Sequence, residues 1–294
     1  MSKPGPFIRP FRIDDGSAFR LKDHDPGATL HLKSKKHAEE TLARGIARLA
    51  ALQEKLYAQH QWALLVIFQA MDAAGKDGAI EHVMSGVNPQ GCEVFSFKQP
   101  SSEELDHDFL WRCACRLPER GRIGIFNRSY YEEVLVVRVH KELLEKQRLP
   151  KHLVTKDVWK ERFEDINAFE RYLTRNGIVI LKFFLNLSRQ EQKKRFLERL
   201  EMPAKNWKFS MSDASERERW GEYMAAYEDL IRHTATPHAP WQVVPADHKW
   251  FTRLVVAEVI VDALEKLNLD FPKVDSAKRK ELQAARIGLE AEAD

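Results

Sequence analysis

Residues 62–80 constrain the fold more than any other part of this chain. A continuous apolar run at 62–68 is typical of a central strand in a parallel sheet. A short loop of small residues follows and ends in Gly75 and Lys76, where a helical pattern begins. Strand, tight loop and helix N-terminus in this order form a phosphate-binding P-loop, because N–H groups face the ligand and a lysine reaches its outer phosphates. The pattern therefore predicts a chain that handles phosphoryl groups, rather than a solvated lysine at an ordinary helix start.

The loop departs from the usual G-x-x-x-x-G-K-[ST] pattern at two positions. Ala70 stands at the first glycine, and Asp77 replaces the hydroxyl residue that normally binds magnesium. Asp72 adds a second carboxylate inside the loop. Carboxylates beside a phosphate repel it unless a cation lies between them, and Mg²⁺ prefers such oxygen ligands. We therefore predict that Asp72 binds Mg²⁺, for which Mn²⁺ can substitute.

The composition excludes several other classes of protein. A chain of 294 residues with 44% apolar residues can bury one large core. Its 47 basic and 44 acidic residues leave a net charge of +3, which argues against a dedicated nucleic-acid-binding protein. Cys92, Cys113 and Cys115 form no pair of CxxC motifs, which is typical of packing residues in a reduced protein. Without a membrane-length apolar run or a signal peptide, we expect a cytoplasmic protein with no membrane partner and no specific nucleic acid.

Strand-like and helical patterns alternate along the chain, which predicts an α/β fold with a parallel sheet covered on both faces. The predicted strands are residues 62–68, 92–97, 122–127, 178–187 and 241–244. The predicted helices are residues 42–56, 101–117, 134–146, 155–176, 215–234 and 250–267, with others starting near 76 and 188. The remaining segments are a surface segment at 1–36, a loop at 202–212 and a solvated charged helix at 275–294. Ligands bind at the carboxyl ends of parallel strands, which groups Asp72, Asn127 and Asn186 along one edge.

The third predicted strand ends in a second polar cluster. In P-loop enzymes the neighbouring strand ends in an acidic residue that helps to hold Mg²⁺, but here Asn127 and Arg128 occupy that place. Asn127 can orient water or a base, and Arg128 can contact phosphate oxygens bidentately. Arg138 follows among valines, where a buried charge needs an anionic partner. We therefore favour a nucleotide phosphate as the partner of Arg138, over the alternative of a surface arginine whose charged end reaches solvent.

Five segments in a fixed order make the chain similar to a known family. They are residues 72–78 (DAAGKDG), 98–101 (KQPS), 126–129 (FNRS) followed by Tyr131, 188–199 (SRQEQKKRFLER) and 205–208 (KNWK). Each segment alone is weak evidence for a family, but together they are highly specific. The similarity extends over about residues 40–265, and the chain resembles the family-2 polyphosphate kinases. Asn127 with Glu132 is similar to the class III subgroup, whose members accept both AMP and ADP. Other classes carry Asp at the first of these positions and typically Asn at the second.

The resemblance implies a three-layer α/β/α P-loop kinase fold in one domain, residues 1–294, with a helical lid at 188–215. It also implies Mg²⁺-dependent transfer of the terminal phosphoryl group of inorganic polyphosphate to AMP or ADP, giving ADP or ATP. The reverse reaction would make or extend polyphosphate. We further expect a homo-oligomer, either a dimer or a tetramer. The apolar helices at 42–56 and 250–267 would fit a core or such an interface equally well.

The P-loop and the resemblance together assign a role to each candidate residue. Asp72 binds Mg²⁺ and orients or deprotonates the accepting phosphate, and Asn127 assists it. Arg128 and Arg138 hold the nucleotide phosphates. Glu132 either accepts a hydrogen bond from the adenine amine or tunes the AMP pocket. The phosphates at the reacting junction are held by Ala73, Ala74, Gly75, Lys76, Asp77 and Gly78.

The predicted lid and its surroundings supply further cations. Arg195 and Arg199 lie four residues apart on one helix face and are expected to close over the transferring group, where an arginine contributes about 10³-fold or more in rate. Lys98, Lys205 and Lys208 are candidates for binding phosphates of the polymer or of the nucleotide. The alternative for these lid residues is a solvated, salt-bridged helix face with surface lysines. The order of the motifs favours the functional interpretation.

Two other functions stay open at this point. A nucleoside monophosphate kinase that uses ATP shares the fold, the lid and the arginines, but Ala70, Asp77 and the missing Ser/Thr after Lys76 disfavour an ATP-type loop. A non-catalytic polyanion-binding protein with a degraded P-loop gains support from Asn127. It predicts salt-sensitive binding without turnover. A screen of phosphoryl donors separates these functions.

Overall fold

The computed structural model describes residues 7–30, 32 and 35–292. Its strands are β1 (Arg12–Ile13), β2 (Ala63–Gln69), β3 (Cys92–Ser96), β4 (Ile123–Asn127), β5 (Ile178–Asn186) and β6 (Trp241–Pro245). They form a six-stranded sheet in the order β1-β6-β5-β2-β4-β3. β1 is antiparallel to β6, and every other pair of neighbours is parallel. The predicted parallel sheet is therefore confirmed, and β2, which leads into the loop, lies between β5 and β4.

Helices cover the sheet and form its connections. The described α-helices are α1 (Lys35–Gln59), α2 (Lys76–Val83), α3 (Ser102–Leu105), α4 (Trp111–Ala114), α5 (Val136–Val139), α6 (Glu142–Glu145), α7 (Val158–Arg175), α8 (Arg189–Glu201), α9 (Pro203–Asn206), α10 (Met211–Glu218), α11 (Trp220–Thr234), α12 (Lys249–Glu265) and α13 (Ser276–Glu290). Short 3-10 helices lie at Arg9–Phe11, Leu21–Asp23, Pro89–Gly91, Tyr130–Val134 and Lys151–Leu153. From β2 to β6 the strands alternate with helices, as the sequence predicts.

Alternate residues of β2 face two separate hydrophobic cores, one on each side of the sheet. Leu64, Val66 and Phe68 pack in a core with α1 and α12, whereas Leu65 and Ile67 pack in a second core with α7 and α11. Because both faces are covered, every residue of β2 is buried. The three-layer arrangement is thus confirmed. The apolar faces of α1 and α12, which also fitted an interface, belong to a core within the chain.

The segment before α1 contributes a strand as well as covering the surface. β1 pairs with β6 at one edge of the sheet, and Phe11 beside it is buried in the first core. A two-residue strand is too short to give a periodic signal, so the sequence predicted five strands and missed this one. Parts of the predicted surface segment 1–36 lie outside the described residues, namely 1–6, 31, 33 and 34.

Two predicted helices are interrupted. The predicted helix at 101–117 is present only as α3 and α4, because the Asp108 side chain accepts a backbone hydrogen bond and starts a new turn between them. The predicted helix at 134–146 is present as α5 and α6. It is broken at Leu135 and His140, whose backbone angles are not helical. Apolar periodicity indicated the right faces but not these breaks.

The chain after α8 is more helical than predicted. α9 and the start of α10 lie within residues 202–212, which the sequence predicted as a loop. Arg219 separates α10 from α11 and so divides the predicted helix at 215–234. The predicted C-terminal helix is confirmed as α13, whose residues are all exposed, while residues 293 and 294 lie outside the described part. Among the described helices, none combines the length and the apolar character that a membrane span requires.

Candidate active site

The loop between β2 and α2 forms the floor of the candidate site. Gly75 ends this loop with a φ of +102°, in the left-handed region that glycine adopts without strain. Lys76, the first residue of α2, turns back so that its Nζ donates a hydrogen bond to the carbonyl oxygen of Ala70 at 2.8 Å. The first N–H groups of a helix have no partner within it and favour anions. A phosphate bound at the start of α2 would therefore lie beside the Lys76 ammonium.

Side chains of α8 hold the carbonyl groups of this loop. Gln192 Nε2 donates to the carbonyl oxygen of Asp72 at 3.0 Å. Arg195 Nη1 donates to the carbonyl oxygens of Ala73 and Ala74, both at 2.9 Å. Three successive carbonyl groups of the loop are thus held by side chains of α8.

Arg195 uses all of its donors within the protein. Its Nη2 donates to the carbonyl oxygens of Ala246 at 2.7 Å and Asp247 at 3.1 Å, and its Nε donates to Glu191 Oε1 at 2.9 Å. A guanidinium has five N–H donors, so after the two bonds to the loop none is left for a phosphate. The side chain is only 4% exposed. The expectation that Arg195 closes over the transferring group is therefore corrected, since it braces the loop against α8 and the end of β6.

Two polar contacts join the end of β4 to the loop and α2. Asn127 Nδ2 donates to Asp77 Oδ1 at 2.6 Å, and Arg128 Nη2 donates to Asp72 Oδ1 at 3.1 Å. Both carboxylates that depart from the usual loop pattern thus have a partner on the neighbouring strand. The predicted grouping along this edge is present for these residues. Asn186, at the end of β5, instead donates to a carbonyl of the N-terminal segment.

Burial and neighbouring charges shift the pKa values of two cations at the site. Burial lowers the pKa of the Lys76 ammonium, and the Asp72 carboxylate opposes this shift. The Glu132 carboxylate is the main cause that raises the pKa of the Arg128 guanidinium. A bound phosphate would add negative charge beside Lys76, so anion binding and protonation of Lys76 favour each other.

A cleft of about 550 Å³ opens above the loop, and we call it the phosphate cleft. Its floor is formed by Asp72, Ala73, Ala74, Gly75, Asp77 and Gly78. Its basic lining residues are Lys76, Lys98, Arg128, Arg195, Arg199, Lys205, Lys208, Lys249 and Arg253. The structure thus brings the predicted loop, β4 and lid residues together. The excess of cations favours a polyanionic ligand.

Lys249 and Arg253 were missed by the sequence analysis. They lie one turn apart on the same face of α12, close to its N-terminus, and both line the phosphate cleft. Cations are unfavourable at a helix N-terminus, and the first turn of α12 contains no acidic residue to compensate. This unusual placement is a signal in the sequence that points to an anionic partner. The side chain of Arg253 makes no hydrogen bond or ion pair with another described residue, and burial lowers its pKa more than the Glu81 carboxylate raises it.

A second wall of the phosphate cleft is formed by α8, α9 and the residues that follow. Arg199 Nη1 lies 3.5 Å from Asp213 Oδ2 and donates to the carbonyl oxygen of Lys208 at 3.3 Å. Lys208 Nζ lies 5.0 Å from the ring centre of Trp207, which is 78% exposed. Lys205 lines the same wall. Arg199, Lys205 and Lys208 all line the phosphate cleft, where they can meet an anionic ligand.

A second cleft of about 340 Å³ adjoins the first, and we call it the apolar cleft. Lys98 and Arg128 line both clefts, so the two meet at these side chains. Glu132 also lines the apolar cleft, and its Oε1 accepts a hydrogen bond from Gln69 Nε2 at 2.8 Å. Its apolar lining residues include Phe97, Leu105, Phe109, Val136, Val137 and Leu143. An apolar cavity with a few polar groups is typical of a small-molecule site.

Arg138 lies outside both clefts. Its Nη1 is 2.6 Å from Asp229 Oδ2 on α11, and its guanidinium carbon is 5.9 Å from the ring centre of Phe163 on α7. An arginine among valines does need an anionic partner, as the sequence indicated, but the partner is a carboxylate of the protein. The prediction that Arg138 holds a nucleotide phosphate is therefore corrected to a structural ion pair.

Asp72, Asp77 and Asn127 carry side-chain oxygen atoms and line the phosphate cleft together. Within the described ranges, no three His, Cys, Asp or Glu side chains converge as a complete metal site. Mg²⁺ usually binds through one or two carboxylates together with substrate phosphates and water. The residues present thus fit an ion that binds jointly with its substrate.

Known proteins match this chain over most of its length. The family model described as "Polyphosphate kinase 2 (PPK2)" matches residues 32–272. An "ADP-polyphosphate phosphotransferase" of Rhodopseudomonas palustris is 50% identical over 277 residues, which are 94% of this chain and 96% of that protein. An "AMP/ADP-polyphosphate phosphotransferase" of Meiothermus ruber is 44% identical over 274 residues, which are 93% of this chain and 98% of that protein.

The fold also has a close counterpart among solved structures. The crystal structure of Polyphosphate Kinase 2 from Arthrobacter aurescens TC1 superposes with a TM-score of 0.86 at 40% sequence identity. The match covers 97% of this chain and 99% of that one. Sequence and fold therefore agree over nearly the whole length.

Proposed function

The chain belongs to the polyphosphate kinase 2 family, and we propose that it transfers the terminal phosphoryl group of inorganic polyphosphate to ADP and to AMP, giving ATP and ADP. The observation that carries this proposal is the junction of two unlike clefts at Lys98 and Arg128. The phosphate cleft is lined by many cations and suits a polyanion. The apolar cleft suits a nucleoside, whose phosphates would then lie at the junction.

The donor, polyphosphate, occupies the phosphate cleft in this proposal. Each phosphate of the polymer carries negative charge, and cations on both walls and the floor of the cleft would neutralise it. Lys249 and Arg253 line one wall, and Lys205 and Lys208 line the other. The terminal phosphate lies at the loop beside Lys76.

The acceptor nucleotide occupies the apolar cleft. Phe97 and Phe109 offer aromatic surface to a base, and Glu132 is a hydrogen-bond acceptor among the lining residues. Arg128 lies at the mouth toward the phosphate cleft, where its guanidinium can contact the nucleotide phosphates. AMP and ADP differ only in the phosphate that reaches this junction, so one cleft can serve both.

The transfer forms one P–O bond and breaks another. A terminal phosphate oxygen of the nucleotide attacks the terminal phosphorus of the polymer, and the bond to the shortened polymer breaks with its electron pair on the polymer oxygen. Negative charge spreads over the oxygens of the transferring group, and Lys76 and Arg128 are placed to stabilise it. Asp72 orients Arg128 through their 3.1 Å contact. The same arrangement supports the reverse reaction, which lengthens the polymer.

We propose that Asp72, together with Asp77, binds Mg²⁺, or Mn²⁺ in its place, when substrate phosphates supply further ligands. The ion would supply charge neutralisation at phosphate oxygens. Asn127 donates to Asp77 at 2.6 Å and so orients this carboxylate. This gives Asn127 a role that does not require it to bind the ion.

We propose that residues 188–215 form a lid on a single kinase domain. The start of α8 is anchored to the loop through Gln192 and Arg195. Further along, Trp207 and Met211 are each 78% exposed. The anchored part fixes the loop, and the exposed part presents the cations Arg199, Lys205 and Lys208.

The experiment that tests the function is an ATP-formation assay with purified protein, Mg²⁺ and long-chain polyphosphate, in which ADP and AMP are offered separately. We expect ATP from ADP, and first ADP and then ATP from AMP. No product from polyphosphate, with transfer from ATP to AMP, would identify a monophosphate kinase. Salt-sensitive binding of polyphosphate without turnover would identify a polyanion-binding protein.

Two variants test the assignment of the site. We expect Lys76→Ala and Asp72→Asn each to lower kcat/KM by about 10²–10³-fold or more, because the first removes a cation at the reacting phosphates and the second removes a carboxylate that would bind Mg²⁺. Lys193→Ala is the matched control, since Lys193 is an exposed lysine of α8. Circular dichroism should show that all three proteins are folded. Turnover near that of the parent in both site variants would contradict the assignment.

A further inference from the structure

Gln69 is a polar side chain in an otherwise apolar strand. It is the last residue of β2, whose other residues are Ala, Leu, Leu, Val, Ile and Phe, and it is 0% exposed. Burying an amide costs free energy unless its polar atoms find partners. An apolar residue at this position would be buried without that loss of free energy, so the presence of an amide requires an explanation.

The only side-chain hydrogen bond of Gln69 within the described chain leads to Glu132. Nε2 donates to Glu132 Oε1 at 2.8 Å, whereas the Gln69 Oε1 atom is buried without a partner among the described residues. An N–H···carboxylate bond is stronger than a neutral one. The buried amide thus serves one contact, which joins the end of β2 to the 3-10 turn Tyr130–Val134 that carries Glu132.

Glu132 lies close to Arg128 and lines the apolar cleft. It also lines a small cavity beneath the loop together with Asp72 and Arg128. Its carboxylate is close enough to Arg128 to be the main cause that raises the pKa of this guanidinium. Without the N–H of Gln69, the carboxylate would be free to turn toward Arg128 and to occupy donors that a nucleotide phosphate needs.

We propose that Gln69 is a positioning residue that holds the Glu132 carboxylate at the apolar cleft, and that this contact sets the affinity for the nucleotide acceptor. The inference rests on the proposed function, because that function places the nucleotide in the apolar cleft. It concerns binding of the acceptor only. Polyphosphate, in the other cleft, does not contact Gln69.

The test is Gln69→Met, which preserves side-chain length but removes the donor. Calorimetric titration with ADP and with AMP, without polyphosphate, should show each Kd raised about tenfold, as expected for loss of one charge-assisted contact. In the transfer assay the nucleotide KM should rise similarly, with kcat and the KM for polyphosphate within about twofold of the parent. Gln242→Met is the matched control, since Gln242 is also a buried glutamine of the sheet, on β6.

A double variant separates positioning from a general effect on folding. Glu132→Ala removes the carboxylate, so adding Gln69→Met to it should change the Kd for ADP by less than about twofold. The proposal would be overturned if Gln69→Met raised the Kd for ADP equally with and without the Glu132 side chain. It would also be overturned if Gln69→Met and Gln242→Met had the same Kd. Gln69→Leu, measured in the same way, replaces Gln69→Met if the latter does not fold. Since titration needs no phosphoryl donor, a parent that is inactive with polyphosphate refutes the proposed function while the Kd values still decide the role of Gln69.

Discussion

The Nη1 atom of Arg195 lies 2.9 Å from the carbonyl oxygen of Ala73, and this contact joins helix α8 to the phosphate loop. Ala73 has a φ of +62°, a backbone conformation that residues other than glycine seldom adopt. The same guanidinium continues to two carbonyl oxygens after β6. The strained shape of the loop is therefore maintained by a side chain that lies 122 positions away in sequence.

Replacing this brace should damage stability and activity together. Arg195→Lys offers three donors in a compact group instead of five in a planar fork, so at least two of the five acceptors of Arg195 lose their partner. We expect the free energy of unfolding to fall by about 3 kcal/mol. We expect kcat/KM to fall about 100-fold, because the reacting phosphate shifts with the loop. Urea unfolding and steady-state kinetics measure the two effects.

Lys193→Ala on the same helix is the control and should change neither quantity. The two interpretations of Arg195 differ in the unliganded protein. A mobile lid arginine contributes to catalysis but not to the stability of the free protein. Reduced kcat/KM with unchanged urea unfolding would therefore restore the lid interpretation.

The ion pair between Arg138 and Asp229 leads to a different expectation, in which stability falls but nucleotide binding is unchanged. Arg138→Ala should lower the free energy of unfolding by about 1 kcal/mol, since both side chains are partly exposed. The KM for AMP and ADP should stay within about twofold of the parent, whereas Arg128→Ala should raise it at least about tenfold. Asp229→Asn should cost as much as Arg138→Ala, and the double variant little more. If Arg138→Ala raised the nucleotide KM and left the free energy of unfolding unchanged, Arg138 would bind the nucleotide as the sequence predicted.

The comparison between these arginines shows what the sequence could predict. A strand, a Gly-Lys pair and a helix are adjacent in sequence, so the loop could be located from residues 62–80 alone. The helical spacing of Arg195 and Arg199 indicated a shared face, but not what lies opposite that face. The carbonyl groups that accept from Arg195 belong to the two residues after β6 and to the loop, which only the folded sheet brings together. The valines around Arg138 showed that it needs an anion but not which one.

Other residues left weaker signals. The two cations at the start of α12 oppose the helix dipole, and this sign of an anionic ligand was present in the sequence. Gln69 gave a similar sign, as an amide at the end of an apolar run. Its partner Glu132 could not be inferred, because it lies 63 positions further along the chain, beyond β3 and β4. The local sequence pattern thus indicates that such a polar or charged residue has a partner, and only the tertiary structure identifies that partner.

Lys182 on β5 and Glu170 on α7 form a fully buried ion pair. Lys182 Nζ lies 2.7 Å from Glu170 Oε2, and both side chains are 0% exposed. Burial lowers the pKa of the Lys182 ammonium, and the Glu170 carboxylate opposes this shift. Glu170 also accepts hydrogen bonds from the hydroxyl groups of Tyr130 and Tyr131, on the turn that carries Glu132.

Lys182→Met should therefore lower the free energy of unfolding by about 3–5 kcal/mol, because it leaves a buried carboxylate without its cation. Adding Glu170→Gln should restore at least half of the loss, since no buried charge then remains. The control is Lys160→Met, which breaks an exposed Lys–Glu pair on α7 and should cost less than about 1 kcal/mol. Urea unfolding measures all three. A double variant less stable than Lys182→Met would contradict this account.

The lowered pKa of Lys76 predicts a pH dependence of polyphosphate binding. Affinity requires the ammonium form, so it should fall as pH rises through a value below the ordinary 10.5 of lysine. Asp72 is the main group that raises this pKa, and Asp72→Asn should move the fall to lower pH. Between the lowered pKa of Lys76 in the native protein and 10.5, the unfolded chain holds more protons than the native one. The free energy of unfolding should therefore rise with pH in this interval. Titration with polyphosphate across alkaline pH tests this, with the exposed Asp270→Asn as the control. An unshifted profile for Asp72→Asn would contradict it.

Arg253 tests whether the wall formed by α12 binds the polymer. Arg253→Ala should raise the KM for polyphosphate about tenfold, because one charge-assisted phosphate contact is lost, and should leave the nucleotide KM within about twofold of the parent. The difference from the parent should shrink at high salt, where exposed charges are screened. Arg279→Ala, on the exposed helix α13, is the matched control and should have no effect. An unchanged KM for polyphosphate at low salt would show that the polymer does not contact Arg253, and would favour a path along Lys205 and Lys208.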